Sequence, residues 1–289
     1  MSVGATGTAL TLRSQHRAHQ GMQGFYEHAS SACGGPMRFS VFLPPVALRG
    51  EEVPALYFLP GLTCTEETFV IKTGAQRRAA ALELALVSCD TSPRANRHPG
   101  DDASWDFGQG AGFYVDATES PWAGSYQMYS YVTQELRRLV ESSFPIRQDA
   151  RGIFGHSMGG HGALVIGLRE PQLYASVSAF APVSAPSLVP WGQKAFTGYL
   201  GDDSTRWAQY DAVQLLKTHT HPNPLLVDQG SSDKFLDEQL KPELLQAACA
   251  ESGQKLELRM QHGYDHSYYF VQSFIEDHLT HHARILSLL

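Results

Sequence analysis

Short apolar runs and stretches of helical period take turns along the chain. Residues 37–45, MRFSVFLPP, alternate apolar and polar positions as a half-exposed strand does, whereas residues 54–61, PALYFLPG, are apolar throughout, as a strand buried on both faces requires. A helical stretch runs into LELALVSCD, which predicts a further short strand over residues 85–89. Met128, Val132, Leu136, Leu139 and Val140 recur at helical spacing and predict an amphipathic helix over residues 125–143. GIFG at 152–155 then predicts a central strand, and MGGHGALVIGLREP a helix stopped by Pro171. YASVSAFAP and PNPLLVDQG predict two more strands, KLELRMQHG the last one, and residues 268–286 a closing helix.

Strands that alternate with helices imply the α/β class: a mostly parallel central sheet with helices on both faces, its first strands forming an antiparallel edge. No repeat or linker divides the chain, so residues 1–289 are expected to form one catalytic domain, with residues 1–23 a loosely ordered extension. Function is then expected at the carboxyl ends of the strands. Residues 90–121 form a long irregular segment dense in Gly, Pro, Asp and aromatic residues, which is expected to roof a site.

Charge and composition remove several functions. A formal net charge of -7 without clustered cations argues against nucleic acid or an anionic membrane as partner. No apolar run approaches the ~20 residues of a spanning helix and no leader-like apolar core opens the chain, so a soluble cytoplasmic protein is expected. Cys33, Cys64, Cys89 and Cys249 lie far apart and read as free thiols. Thirteen histidines invite a metal, yet neither the His219–His221 pair nor His281–His282 has the spacing of a helical zinc site. Solvated surface histidines are the expectation, with no metal and no cofactor.

The chemistry is carried by Gly155-His156-Ser157-Met158-Gly159. The motif alone is weak, but a buried strand precedes it, a helix follows it, and residues without side chains flank the serine, as a nucleophile displayed on a strained strand-to-helix turn requires. A serine hydroxyl needs a base, and that base an orienting acid, each just past a later strand. PLLVDQGSSDKF offers Asp228 and Asp233; Asp228 is near enough to the strand to remain in the sheet, so Asp233 in the following loop is better placed. QHGYDHSYYF offers His262 and His266, and His266, beyond a glycine-containing turn, is better placed to lie over Ser157. Two backbone donors for an oxyanion are expected at Met158 and at Leu62, where Gly61 permits a sharp bend.

PGLTCTEETF, DTSPR, GHSMGGHGAL, DQGSSDKFL and GYDHSYYF together resemble the S-formylglutathione hydrolases, the esterase D branch of the α/β-hydrolases, over nearly all of the chain beyond about residue 25. The resemblance implies the α/β-hydrolase fold, Ser157, Asp233 and His266 as the triad, and backbone donors at Leu62 and Met158. It also implies that Cys64 lies near the catalytic centre as a thiol-sensitive residue. The implied activity is hydrolysis of a small-molecule glutathione thioester, S-formylglutathione, in formaldehyde detoxification, by a homo-oligomer, dimer or larger. Alternatives on the same fold are a carboxylesterase of broad small-acyl specificity and an acyltransferase.

Overall fold

The computed structural model describes residues 10–95 and 97–287. Nine strands form one sheet: β1 (Leu10–Ala18), β2 (Gly21–Ser30), β3 (Gly35–Leu43), β4 (Val53–Leu59), β5 (Ala85–Cys89), β6 (Ile146–His156), β7 (Ser176–Phe180), β8 (Leu225–Gly230) and β9 (Leu256–Gln261). Their spatial order is β1-β2-β3-β5-β4-β6-β7-β8-β9. β1, β2 and β3 run antiparallel and meet β5 antiparallel, while all pairs from β5 through β9 are parallel. The helices are α1 (Thr68–Lys72), α2 (Ala75–Ala81), α3 (Met128–Ser130), α4 (Arg137–Ser143), α5 (Met158–Arg169), α6 (Pro190–Leu200), α7 (Ala212–Leu215), α8 (Pro242–Ser252) and α9 (Tyr268–Leu286). Tyr131–Leu136 joins α3 to α4 as a π-helical insert, so the amphipathic helix expected from the sequence is one helical rod with a wide turn.

Burial follows the residue types. β5, β7 and β8 are buried at every position, which parallel strands covered on both faces require of runs such as ALVSC and SVSAF. From Met158 to Leu168, α5 is buried all round, and its run of Gly, Ala, Leu, Val and Ile suits a helix with no solvent face. Phe58 stacks on Phe69 at 3.9 Å and meets Phe154 edge-on at 4.9 Å, anchoring the central strands.

The amino-terminal segment corrects one expectation. Residues 10–23 are not a loose extension: they form β1 and the start of β2, paired residue by residue with a single irregularity between Leu12 and Ser14. β1 is a mostly exposed edge whose polar side chains leave no alternating apolar signature. Residues 1–9 of that expected extension lie outside the described residues. No helix among the described residues is long and apolar enough to cross a membrane.

Candidate active site

The carboxyl ends of β4, β6, β8 and β9 lie at one edge of the parallel sheet, and each delivers one component. Ser157 directly follows β6, at φ 58° and ψ -119°, a conformation a residue with a β-carbon adopts only at a cost of about 1–3 kcal/mol. The turn is fixed on every side: the Ser157 amide donates to the Phe180 carbonyl at 2.9 Å, and the Ser157 carbonyl accepts from His161 at 3.0 Å and Val183 at 3.3 Å. The flanking glycines are explained by contact. A β-carbon at Gly159 would stand 1.8 Å from the Leu59 carbonyl oxygen, and one at Gly155 would stand 2.3 Å from that of Gly159.

Above the serine, His266 Nε2 lies 2.9 Å from Ser157 Oγ, and His266 Nδ1 lies 2.5 Å from Asp233 Oδ2. Asp233 is fully buried at its side chain and accepts also from the Phe235 amide at 2.9 Å and from Gln229 Nε2 at 3.3 Å. The carboxylate is therefore held on both oxygens, and the Nδ1 proton directed at it leaves Nε2 as the free lone pair. Phe235 meets the imidazole edge-on at 5.1 Å, and the buried His156 ring lies 4.6 Å away. Burial, and secondarily the neighbouring His266, pushes His156 well below the usual imidazole range, which keeps it neutral.

Leu62 sits in the turn after β4, and its amide and that of Met158 donate to no protein acceptor among the described residues. The irregular segment 90–121 braces this turn. Tyr114 Oη donates to the Pro60 carbonyl at 2.8 Å, the Thr63 amide donates to the Gly110 carbonyl at 2.8 Å, and Thr91 and Arg94 donate to the Cys64 carbonyl at 2.6 and 3.1 Å. The sequence placed a roof here; it gave no sign that the roof's backbone and tyrosine clamp the loop that carries Leu62. Cys64 is half-buried, with the Tyr268 hydroxyl 3.8 Å from its sulfur, and burial pushes its thiol up despite that bond.

The rejected alternatives have other work. Asp228, inside β8, accepts from Arg259, whose Nη2 is 2.5 Å from Oδ2, from Gln261 at 3.0 Å and from His278 Nε2 at 3.2 Å. Burial opposes its charge, but the bonds from His278 and Arg259 outweigh burial and hold the carboxyl at about 2. His278 Nδ1 lies 2.8 Å from Ser178 Oγ, which is 2.8 Å from His282 Nε2, and His282 Nδ1 is 2.6 Å from Ser176 Oγ. His262 is exposed on the turn after β9.

This network overturns the expectation of solvated histidines. His28, His156, His161, His221, His278 and His282 are all buried. Their imidazoles act as polar core groups: His221 Nε2 meets the Tyr174 carbonyl at 2.9 Å and His161 Nε2 the Phe113 carbonyl at 3.1 Å. Histidine count gives no sign of this, because burial depends on where the fold places each residue: His28 and His156 lie on strands, and His161, His278 and His282 on the inner faces of helices.

A serine on a strained strand-to-helix turn of a mostly parallel sheet, with an imidazole and a carboxylate from later loops, defines the α/β-hydrolase class. Residues 30–281 match the family described as "Putative esterase". The chain is 50% identical over 281 residues to an S-formylglutathione hydrolase of Mus musculus, covering 96% of this chain and 99% of that one. It is 52% identical over 273 residues to an S-formylglutathione hydrolase of Paracoccus denitrificans (strain Pd 1222), covering 94% and 97%. The solved structure of an S-formylglutathione hydrolase from Agrobacterium tumefaciens superposes with a TM-score of 0.93 at 45% identity, covering 95% of this chain and 99% of that chain. The protein belongs to the S-formylglutathione hydrolase family of esterases.

Proposed function

We propose that the protein hydrolyses S-formylglutathione to glutathione and formate, with Ser157 as nucleophile, His266 as general base and Asp233 as the orienting acid. The observation that carries this reading is the single imidazole that spans Ser157 Oγ at 2.9 Å and Asp233 Oδ2 at 2.5 Å, in a member of this family. His266 Nε2 takes the serine proton as Oγ attacks the formyl carbon, and the negative oxygen that results is received by the Leu62 and Met158 amides. The C–S bond then breaks. The departing sulfur, from a thiol with a pKa of ~8.5, needs less help from an acid than an amine would; it takes the proton from His266 Nε2, so that glutathione leaves as the thiol, the imidazole is neutral again and a formyl-serine remains. Water, deprotonated by the same Nε2, attacks the ester, and formate leaves as the proton returns to Oγ.

Cysteines that form no disulfide among the described residues support a reducing cytoplasmic setting for an enzyme that uses glutathione. Cys64, beside Tyr268 of the same site, is the residue through which thiol reagents act in this reading, slowly, because its burial disfavours the thiolate. The homo-oligomeric state, dimer or larger, is checked by sedimentation of the full chain. The decisive experiment is steady-state kinetics with S-formylglutathione and p-nitrophenyl acetate beside a Ser157→Ala control. The expected result is a far higher kcat/KM for the thioester; equal values would leave a general esterase instead.

A further inference from the structure

A cleft of about 450 Å³ opens beside His266, lined also by Lys72, Ser267, Tyr268, Tyr269 and Gln272. That volume falls in the ~300–1,000 Å³ range of small-molecule sites. Its walls are the carboxyl end of α1 and the first turns of α9. Lys72 is its cation. The side chain is exposed, its Nζ lies 5.3 Å from the Tyr268 ring centroid, and no carboxylate pairs with it among the described residues. The other cations around the mouth are already engaged: Arg94 with Asp90 at 2.8 Å, Arg97 with Asp102 at 3.4 Å and Lys194 with Asp106 at 2.5 Å. The His98 ring is held by Ser125 at 2.6 Å. Lys234 lies 4.8 Å from the Phe235 ring centroid, outside the cleft.

We propose that this cleft receives the peptide of the leaving thiol and that Lys72 is a specificity-determining cation that pairs there with a glutathione carboxylate. The inference rests on the thioesterase reading above. A departing sulfur has to lie where His266 Nε2 can reach it, so the peptide attached to that sulfur extends from the imidazole, and the cleft begins at that imidazole. An S-acylated glutathione carries two carboxylates and one ammonium, and approaches a protein of formal charge -7. An unpaired ammonium beside the base is the group that offsets this repulsion. Tyr268 and the highly exposed Tyr269 supply flat apolar surface for the peptide backbone.

The test compares Lys72→Met, Lys72→Glu and Lys234→Met by the ratio of kcat/KM for S-formylglutathione to that for the uncharged p-nitrophenyl acetate. Lys72→Met is expected to lower the ratio roughly three- to fivefold through KM, the upper size of an exposed ion pair, and Lys72→Glu to lower it further. Lys234→Met is expected to change it less than twofold. The Lys72→Met effect is expected to shrink as salt is raised, which a merely structural role of the side chain would not produce. A ratio within twofold of the parent for Lys72→Met, or a larger loss for Lys234→Met, would overturn the inference. A parent enzyme that does not hydrolyse S-formylglutathione would overturn the underlying reading as well, visibly and before any substitution.

Discussion

Ser157, His266 and Asp233 are joined by contacts of 2.9 and 2.5 Å, and Ser178, His278 and Asp228 by contacts of 2.8 and 3.2 Å. Both chains run serine to histidine to aspartate, and both aspartates come from β8 or the loop after it. Three differences separate them. The Ser178 set lies in the middle of β7 with His278 completely buried and stacked on Phe180 at 3.7 Å, whereas the His266 side chain keeps 15% of its surface exposed. Asp228 is also paired with Arg259, while Asp233 spends its second oxygen on a backbone amide. Only Ser157 has open amide donors beside it. Residue identity and hydrogen bonding thus make a polar core as readily as an active site. Strain, access and donors decide which.

The sharpest way to break the comparison is to truncate both serines. Ser157→Ala is expected to lower kcat at least ~10⁴-fold with the thermal midpoint little changed, as loss of a nucleophile does in other serine hydrolases. Ser178→Ala is expected to retain activity and to cost about 1–3 kcal/mol of stability, because it leaves His278 Nδ1 and His282 Nε2 without their shared partner; guanidinium unfolding measures it. Next are the acids. Asp233→Asn is expected to reduce kcat about 10³–10⁴-fold by favouring the wrong imidazole tautomer. Asp228→Asn is expected to cost about 2–3 kcal/mol by unpairing Arg259, a figure reduced because that guanidinium is partly exposed. If Asp228→Asn instead removed activity from fully folded protein, the distinction between the two assemblies would fail.

A smaller effect separates them by pH. His278, His281 and His282 sit below the ordinary imidazole value chiefly because they are buried, His281 at about 4. The unfolded chain binds their protons near pH ~6.5 and the folded chain does not, so their contribution is complete above that pH and declines as pH falls toward 4. The expected loss at pH 5 relative to pH 7.5 is about 1–2 kcal/mol for His281, with His278 and His282 adding to it in the same direction, read from denaturant midpoints at the two pH values. Asp228 adds a further decline only below pH ~3.9, as the pH approaches its folded value of about 2. His282→Gln is expected to flatten the first decline.

Much of the parallel half of the fold was readable because buried strands such as residues 85–89 and 176–180 carry only apolar residues and small serines, with no charged or large polar side chain among them. β1 was not, since an exposed edge strand needs no apolar face, and α6 and α8 were passed over between stronger signals. At the site, spacing past strands β8 and β9 separates Asp228 from Asp233 and His262 from His266 without coordinates. Gln229, the Phe235 amide and the Tyr114–Pro60 clamp were not legible, because each depends on contacts between segments far apart in the chain or on an exact loop conformation. The buried histidine network was hidden for the same reason: α9 brings His278 and His282 onto β7 across a hundred residues.

Phe180 belongs to both assemblies. Its ring lies against His278, and its carbonyl receives the Ser157 amide. A side-chain change that lets this phenylalanine settle by a few tenths of an ångström would carry the backbone support of Ser157 with it. Residues remote from substrate therefore have a short mechanical route to turnover, and slow variants arising in the carboxyl-terminal helix would owe their defect to geometry transmitted along β7 rather than to chemistry.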